Sequence, residues 1–254
     1  MNMNKYVITA AGGNATAIGV IDSPQDRTWY EQQGMLLMKE FSDLHVEQVG
    51  FVVLSQNHFE MSGGELCGNG TRAAGFLFAK LTGGADEYEF STSGHTGLVN
   101  VKISDADTST PYVIGVFPNL SAKTKPVNVT GVEKAELVDL GGIVHVVIYG
   151  EMPENYTDEH RRITSELGLT ERDAVGVDWI SIDQDGTGVA MHPVVWVRSI
   201  DTYFYESSCG SGSISVALAT GINTVNQPSG EVIVVAKQGE VLTIASKLEV
   251  VHES

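Results

Sequence analysis

Two cysteines occur in the 254 residues, and both head the same short pattern. Cys67-Gly-Asn-Gly-Thr-Arg72 and Cys209-Gly-Ser-Gly-Ser-Ile214 share C-G-x-G-[ST], and each runs on into apolar, small-residue sequence of helical character. The copies are separated by 142 positions, a little over half the chain, and form its one evident internal repeat. A Gly-rich turn feeding a helix leaves the first backbone N–H groups without intrahelical partners, at the positive end of the helix dipole. Such a terminus binds an anion, and Gly68, Gly70, Gly210 and Gly212 let one approach with no Cβ in the way. A thiol at the same terminus is expected to ionise below the ordinary cysteine value. Each half of the chain thus offers an activated thiol beside an anion cradle.

Other uses of the pattern compete. A dinucleotide site fits poorly, because Gly68-x-Gly70 continues to Gly75 with the wrong spacing and Gly210-x-Gly212 has no third glycine in place. A lone cysteine would be read as an inert core residue, but the duplication argues against that here. Two low-pKa thiols facing each other could also oxidise as a redox switch, and that alternative stays open. Two thiols converging on one carboxylate held by both helix termini give a more specific chemistry. One thiolate removes the α-proton of an amino acid from one face, and the opposing thiol supplies a proton to the other. The carbanion gathers charge beside the carboxylate, where the N–H groups converge. This chemistry calls for no pyridoxal phosphate and no metal.

The rest of the chain must position these termini. A formal net charge of −17 argues against nucleic acid and anionic membranes as partners. With 42% hydrophobic and 19% charged residues the chain is globular rather than disordered. No apolar run approaches the roughly 18 residues of a membrane helix. The first 17 residues read as a strand and turn rather than a signal peptide, because Gly12, Gly13 and Asn14 break the apolar run. Sparse cysteines outside any CxxC pair point to a reducing cytoplasm.

Short runs rich in Val, Ile and Tyr at 6–10, 49–54, 98–103, 112–117, 144–149, 194–197 and 232–236 read as strands. Asp185-Gly186 and Gln238-Gly239 are hairpin signals, so the pairing is expected to be mostly antiparallel. Helices are expected at 29–41, from Thr157 as capping residue to Gly168, and after each cysteine. The simplest assembly is an α/β (α+β) fold of two pseudo-symmetric lobes, each a mostly antiparallel sheet wrapped around an apolar central helix. The lobes are expected at 1–117 and 118–244, divided where Pro, Asn, Ser and Lys interrupt the strand pattern at 118–127. The C-terminal strand, about 245–254, is free to return to the first lobe.

Glu65-Leu-Cys67-Gly-Asn-Gly-Thr-Arg72 and Ser208-Cys209-Gly-Ser-Gly resemble the paired signatures of the diaminopimelate epimerase family of cofactor-independent racemases and epimerases. The resemblance extends along most of the chain and implies the two-lobed fold, Cys67 and Cys209 as the acid–base pair, and commonly a homodimer. By the same resemblance Gly68, Asn69, Gly210 and Ser211 hold the α-carboxylate, while Asn14, Gln48, Asn57 and Glu206 fix the rest of the substrate. Leu140-Gly-Gly-Ile-Val-His145 is similar to a family segment whose histidine tunes the cysteines, and Glu206 is placed to orient Cys209 or hold the substrate ammonium. Taken without the resemblance, His145 reads as a core or surface histidine and Glu206 as surface charge. Arg72 is read as structural or interfacial.

The departures concern the distal head group of diaminopimelate. Ser207 stands where the family carries Arg, Gly176 takes the place of an asparagine, and the asparagine of the Gly-Asn-Pro-His segment is absent. This pattern is more similar to the histidine racemase members of the family, and it implies histidine as the small-molecule partner. A second carboxylate would be buried without a partner, whereas a neutral imidazole asks only for a donor or acceptor at each nitrogen, which Glu47, Gln48 or Asp178 could supply. Diaminopimelate epimerase activity, racemisation of another amino acid, and a non-catalytic, redox-responsive carboxylate-binding module are the competing readings.

Overall fold

The structure is a computed structural model that describes residues 3–106 and 108–254. The first half runs β1 (Asn4–Ala10), β2 (Gly13–Ile21), α1 (Arg27–Glu40), β3 (Val46–Val53), β4 (His58–Met61), α2 (Gly68–Leu81), β5 (Glu87–Thr92), β6 (Leu98–Ser104) and β7 (Tyr112–Pro118). The second runs β8 (Lys123–Val127), β9 (Ala135–Asp139), β10 (Val144–Tyr149), α3 (Tyr156–Glu166), β11 (Ala174–Ile182), β12 (Val189–Val197), β13 (Thr202–Tyr205), α4 (Gly210–Thr220), β14 (Thr224–Asn226), β15 (Val232–Gln238) and β16 (Val241–Glu253).

Strand order explains the two lobes. Neighbours follow β1-β2-β3-β4-β5-β6-β7-β16, and β16 also pairs with β1, so eight strands close into a barrel. The path continues from β16 through β15, β14, β12, β11, β10 and β9 to β8, with β13 paired to β12. The long β16 is therefore shared: Val241–Lys247 pair with β7 while Leu248–Glu253 run beside β1. Alternate residues of β6 and β7 are buried, the period-two signature of strands with one face on a core.

Most pairings are antiparallel, as the hairpin signals require, and the parallel pairs have one cause. Parallel neighbours need a crossover, and α1, α2, α3 and α4 each supply one, between β2 and β3, β4 and β5, β10 and β11, and β12 and β14. α2 lies inside the first barrel and is buried from Gly68 to Ala79, and α4 is buried from Gly210 to Ala217. That is why both are apolar on all sides. α1 and α3 lie outside, α1 over Val7, Val49 and Phe51 and α3 over Val146, Val177 and Trp179.

Two local expectations are corrected. Within 118–127 the strand pattern resumes at Lys123, where β8 forms an edge strand; Pro126, Lys123 and Lys125 are residues an edge tolerates or uses to block further pairing. Helix α3 begins at Tyr156 with Asn155 as its N-cap, so Thr157 lies inside the first turn.

Candidate active site

The two cysteine motifs form nearly superimposable helix starts. Cys67 and Cys209 are the N-caps of α2 and α4, with φ/ψ of −120°/110° and −124°/112°. Each sulfur accepts from the N–H three residues on, Gly70 to Cys67 Sγ at 3.1 Å and Gly212 to Cys209 Sγ at 3.3 Å. The two termini abut. A Cβ on Gly210 would lie 2.8 Å from Asn69 Oδ1, and one on Gly68 would lie 3.4 Å from the carbonyl carbon of Gly210, so glycine is what allows the approach. Both thiols are free and line one cavity of about 210 Å³, together with Gly68, Gly210 and Ser211. That volume lies below the roughly 300–1,000 Å³ of sites for drug-sized ligands and suits a single amino acid.

Each thiol has its own polar neighbours. Cys67 Sγ donates to Gln48 Oε1 at 2.8 Å, and Gln48 Nε2 donates to Glu206 Oε1 at 3.1 Å. On the other side, buried His145 on β10 meets Asp178 Oδ2 on β11 through Nδ1 at 2.9 Å. A carboxylate only accepts, so Nδ1 carries the hydrogen of that bond, and Nε2 lies 3.0 Å from the Ser211 hydroxyl oxygen. Ser211 Oγ lies 3.7 Å from Cys209 Sγ. Gly176 stands opposite His145 in the parallel β10–β11 register, and a Cβ there would lie 2.1 Å from His145 Nδ1. Gly176 thus makes room for the imidazole.

The electrostatics overturn one expectation. The thiols are not lowered by their helix termini: burial pushes Cys67 up to about 12, with Glu206 and Glu65 adding to it, and the N–H groups of Gly70 and Asn69 pulling the other way. Cys209 is likewise held well above its ordinary value by burial, Glu206 and Asp178. The magnitudes decide this. A helix terminus contributes roughly 0.3–1 kcal/mol, up to ~2, whereas burying an ion costs several kcal/mol. Burial also raises Glu206 to about 8, with Glu47 and Asp178 reinforcing it, and raises Glu47 to about 7.

The remaining sequence-derived residues divide. Gln48 and Glu206 line the cavity, and Glu47 lines it too. Asn14 and Asn69 are buried behind it: Asn14 Nδ2 and Asn69 Nδ2 both donate to the Ser208 carbonyl, at 2.7 and 3.1 Å, and so clamp the first lobe to the residue before Cys209. Asn57 is not brought to the site. It is an exposed residue of left-handed conformation ending the 3-10 turn Leu54–Gln56, and its Oδ1 accepts from the Tyr88 hydroxyl at 2.9 Å. Proximity in sequence to Cys67 misled, because β4 carries the chain away in between.

Sequence reasoning missed the outer wall. Glu31, Met35 and Met38 of α1 and Phe204 of β13 line the cavity. The available signal was the breadth of the apolar face of α1, too wide for its packing: Met35 is 58% exposed while Leu37 is buried. Among the described lining residues none is cationic, while Glu31, Glu47, Glu65 and Glu206 all carry carboxyl groups.

Comparisons with known proteins give the family and the fold. The family model described as histidine racemase CntK N-terminal domain matches residues 5–253. The chain is 28% identical to the histidine racemase of Fusobacterium nucleatum over 187 residues, 71% of this chain and 67% of that one. It is 25% identical to the histidine racemase of Staphylococcus aureus, with 96% and 98% of the two chains covered. Among solved structures, a probable proline racemase from Agrobacterium radiobacter is similar in fold, with a TM-score of 0.65 at 13% identity over 100% of this chain and 92% of that one. No described helix is long and apolar enough to cross a membrane. The chain belongs to the histidine racemase CntK N-terminal domain family, and it is an isomerase of the racemase class.

Proposed function

We propose that the chain is a two-base racemase that interconverts L- and D-histidine. The observation that carries the reading is one cavity entered by two cysteine-capped helix termini, with carboxyl groups but no cation among its described lining residues. The substrate carboxylate sits against the first-turn N–H groups of α2 and α4, at Gly68, Asn69, Gly210 and Ser211. The ammonium and imidazole face carboxyl groups. Oε2 of Glu47 and of Glu206 are buried with no partner among the described residues, and a substrate N–H would satisfy either one. A second carboxylate would find no counter-charge there, which disfavours diaminopimelate.

The substrate's ammonium charge offsets part of what keeps the thiols protonated. The same ammonium favours the ionised form of Glu206, so that this carboxylate, bonded to Gln48 and acting on both sulfurs, takes the proton displaced from the first thiol. That thiolate then takes the Cα proton. The electron pair left on Cα takes a proton from the opposing thiol, which becomes the thiolate, and the centre is inverted with no net change in protons. His145, through Ser211, and Glu206 tune the pair. The mechanism asks for no cofactor, and two free thiols fit a reducing cytoplasm. A homodimer completes the reading; exposed Val232, Val234 and Val241 on β15 and β16 offer it an apolar patch.

Circular dichroism with L-histidine, L-lysine, L-proline and diaminopimelate side by side tests the substrate. Histidine is expected to lose its optical signal fastest, with Cα deuterium uptake in heavy water. Efficient turnover of diaminopimelate with none of histidine would reverse the assignment, and absence of exchange with every amino acid would leave only a binding module.

A further inference from the structure

Arg72 is fully buried, and among the described residues no carboxylate pairs with it. Its hydrogen-bond acceptors are neutral: Nε donates to the Gly68 carbonyl at 3.3 Å, Nη1 to Ser246 Oγ at 2.5 Å and Nη2 to Asn69 Oδ1 at 2.6 Å. Arginine is almost never buried unless paired, because an uncompensated interior charge is costly. The fold makes room for it deliberately: a Cβ on Gly115 of β7 would lie 3.0 Å from Arg72 Cγ. Burial lowers its pKa to about 10, against which the Cys67 thiol and the Tyr112 phenol act, and of these Cys67 caps the same helix. Arg72 lies five residues after Cys67, and the residue five after Cys209 is Ile214, buried and apolar. A buried cation thus stands near one of two otherwise matched thiols.

The other charges around the sulfurs deepen the contrast. Cys67 is faced by Glu206 from the approach to α4 and Glu65 from the approach to α2, with Glu47 next to its partner Gln48 on β3. Cys209 is faced by Glu206 and by Asp178 of β11, with His145 of β10 behind Ser211. Asp178 Oδ1 would lie 3.0 Å from a Cβ on Gly212, in the first turn of α4, and has no hydrogen-bond partner among the described residues. Carboxyl groups surround both thiols, and a guanidinium is stationed on the helix of Cys67.

We propose that Arg72 is a positioning residue that makes the two thiols unequal, acting as buried counter-charge to the Cys67 thiolate. Cys67 is then the first of the pair to ionise in the free enzyme, with Cys209 the resting proton donor. The inference rests on the two-thiol reading above. The guanidinium is bonded to Gly68 and Asn69, the first two residues after Cys67, so its charge is held at the helix turn that the sulfur caps, where a cation favours the sulfur anion. Through Asn69, whose amide donates to the Ser208 carbonyl, the same guanidinium also fixes the approach of the two helix termini.

The test is site-resolved alkylation of the full chain by iodoacetamide over a range of pH, read by peptide mass mapping, which needs no racemase activity. In the wild type, Cys67 is expected to react about tenfold faster than Cys209 at a fixed pH below both midpoints, the factor that one pKa unit brings. Arg72→Met should slow Cys67 by about tenfold and move its alkylation profile to higher pH, with Cys209 little changed, and Arg72→Lys should restore much of the rate. A purely structural role would alter access to both thiols without moving the profile. Wild-type reaction at Cys209 first, or a Cys67 profile unmoved in Arg72→Met, overturns the proposal. If Arg72→Met fails to fold, the wild-type order and Arg72→Lys still decide it. The two-thiol reading fails by a different result, racemisation that survives loss of a cysteine.

Discussion

The starts of α2 and α4 share almost every backbone feature: a cysteine N-cap of extended conformation, a sulfur that accepts from the third N–H, and two glycines where the termini meet. Their surroundings differ in kind. Cys67 is tied through Gln48 to Glu206, and Arg72 supplies positive charge one helical turn below. Cys209 sits against Ser211, which leads to His145 and Asp178. The proposed two-base reaction asks for matched geometry on the two faces of Cα, and for one sulfur to hold a proton that the other lacks. The shared backbone suits the first requirement, and the differing surroundings suit the second.

The largest effect that bears on this comparison is loss of a thiol. Cys67→Ala and Cys209→Ala are each expected to lower racemisation by about a thousandfold or more, since a one-sided site removes a proton but cannot deliver one to the opposite face. Optical rotation with purified variants measures it, and near-normal turnover by either variant breaks the two-base account.

Next comes the side of Cys209. Asp178→Asn leaves His145 without its carboxylate acceptor, and the rate should fall about ten- to hundredfold as the imidazole loses its fixed tautomer. The pH profile of the rate should move as well. A change in KM alone would mean that Asp178 serves only to shape the pocket.

On the side of Cys67, Gln48→Leu cuts the link from the thiol to Glu206, and a loss of about tenfold is expected. Comparing its alkylation pattern with that of Asp178→Asn sharpens the contrast: each variant should disturb its own cysteine first. Equal disturbance of both would mean that the thiols share one network.

The smallest effect is on stability. Glu206 and Glu47 titrate at about 8 and about 7 in the folded chain, above their ordinary value. The folded state therefore holds protons that the unfolded chain releases, so their contribution is full below the ordinary carboxylate pKa and is lost as pH rises through about 7 and 8. The Tm of the substrate-free enzyme should fall from about pH 6 to about pH 9, and Glu206→Gln should flatten that slope. A Tm that rises over the same interval would place ionised, well-paired carboxylates in the cavity.

Sequence alone determined the elements with strong local signals. Period-two runs became strands, the Gly-rich turns after Cys67 and Cys209 became helix starts, and small apolar residues on all sides of α2 and α4 required helices surrounded by sheet. These depend on contacts within a few residues or on one repeated motif. Tertiary structure alone decided what depends on packing between distant segments. Gly176 is intelligible only because β11 lies parallel to β10 and brings it against His145, and Asn57 leaves the site because β4 turns away. The direction of the thiol pKa values was decided in the same way: a helix terminus is written locally, but the burial that outweighs it is the work of both lobes closing over the two sulfurs.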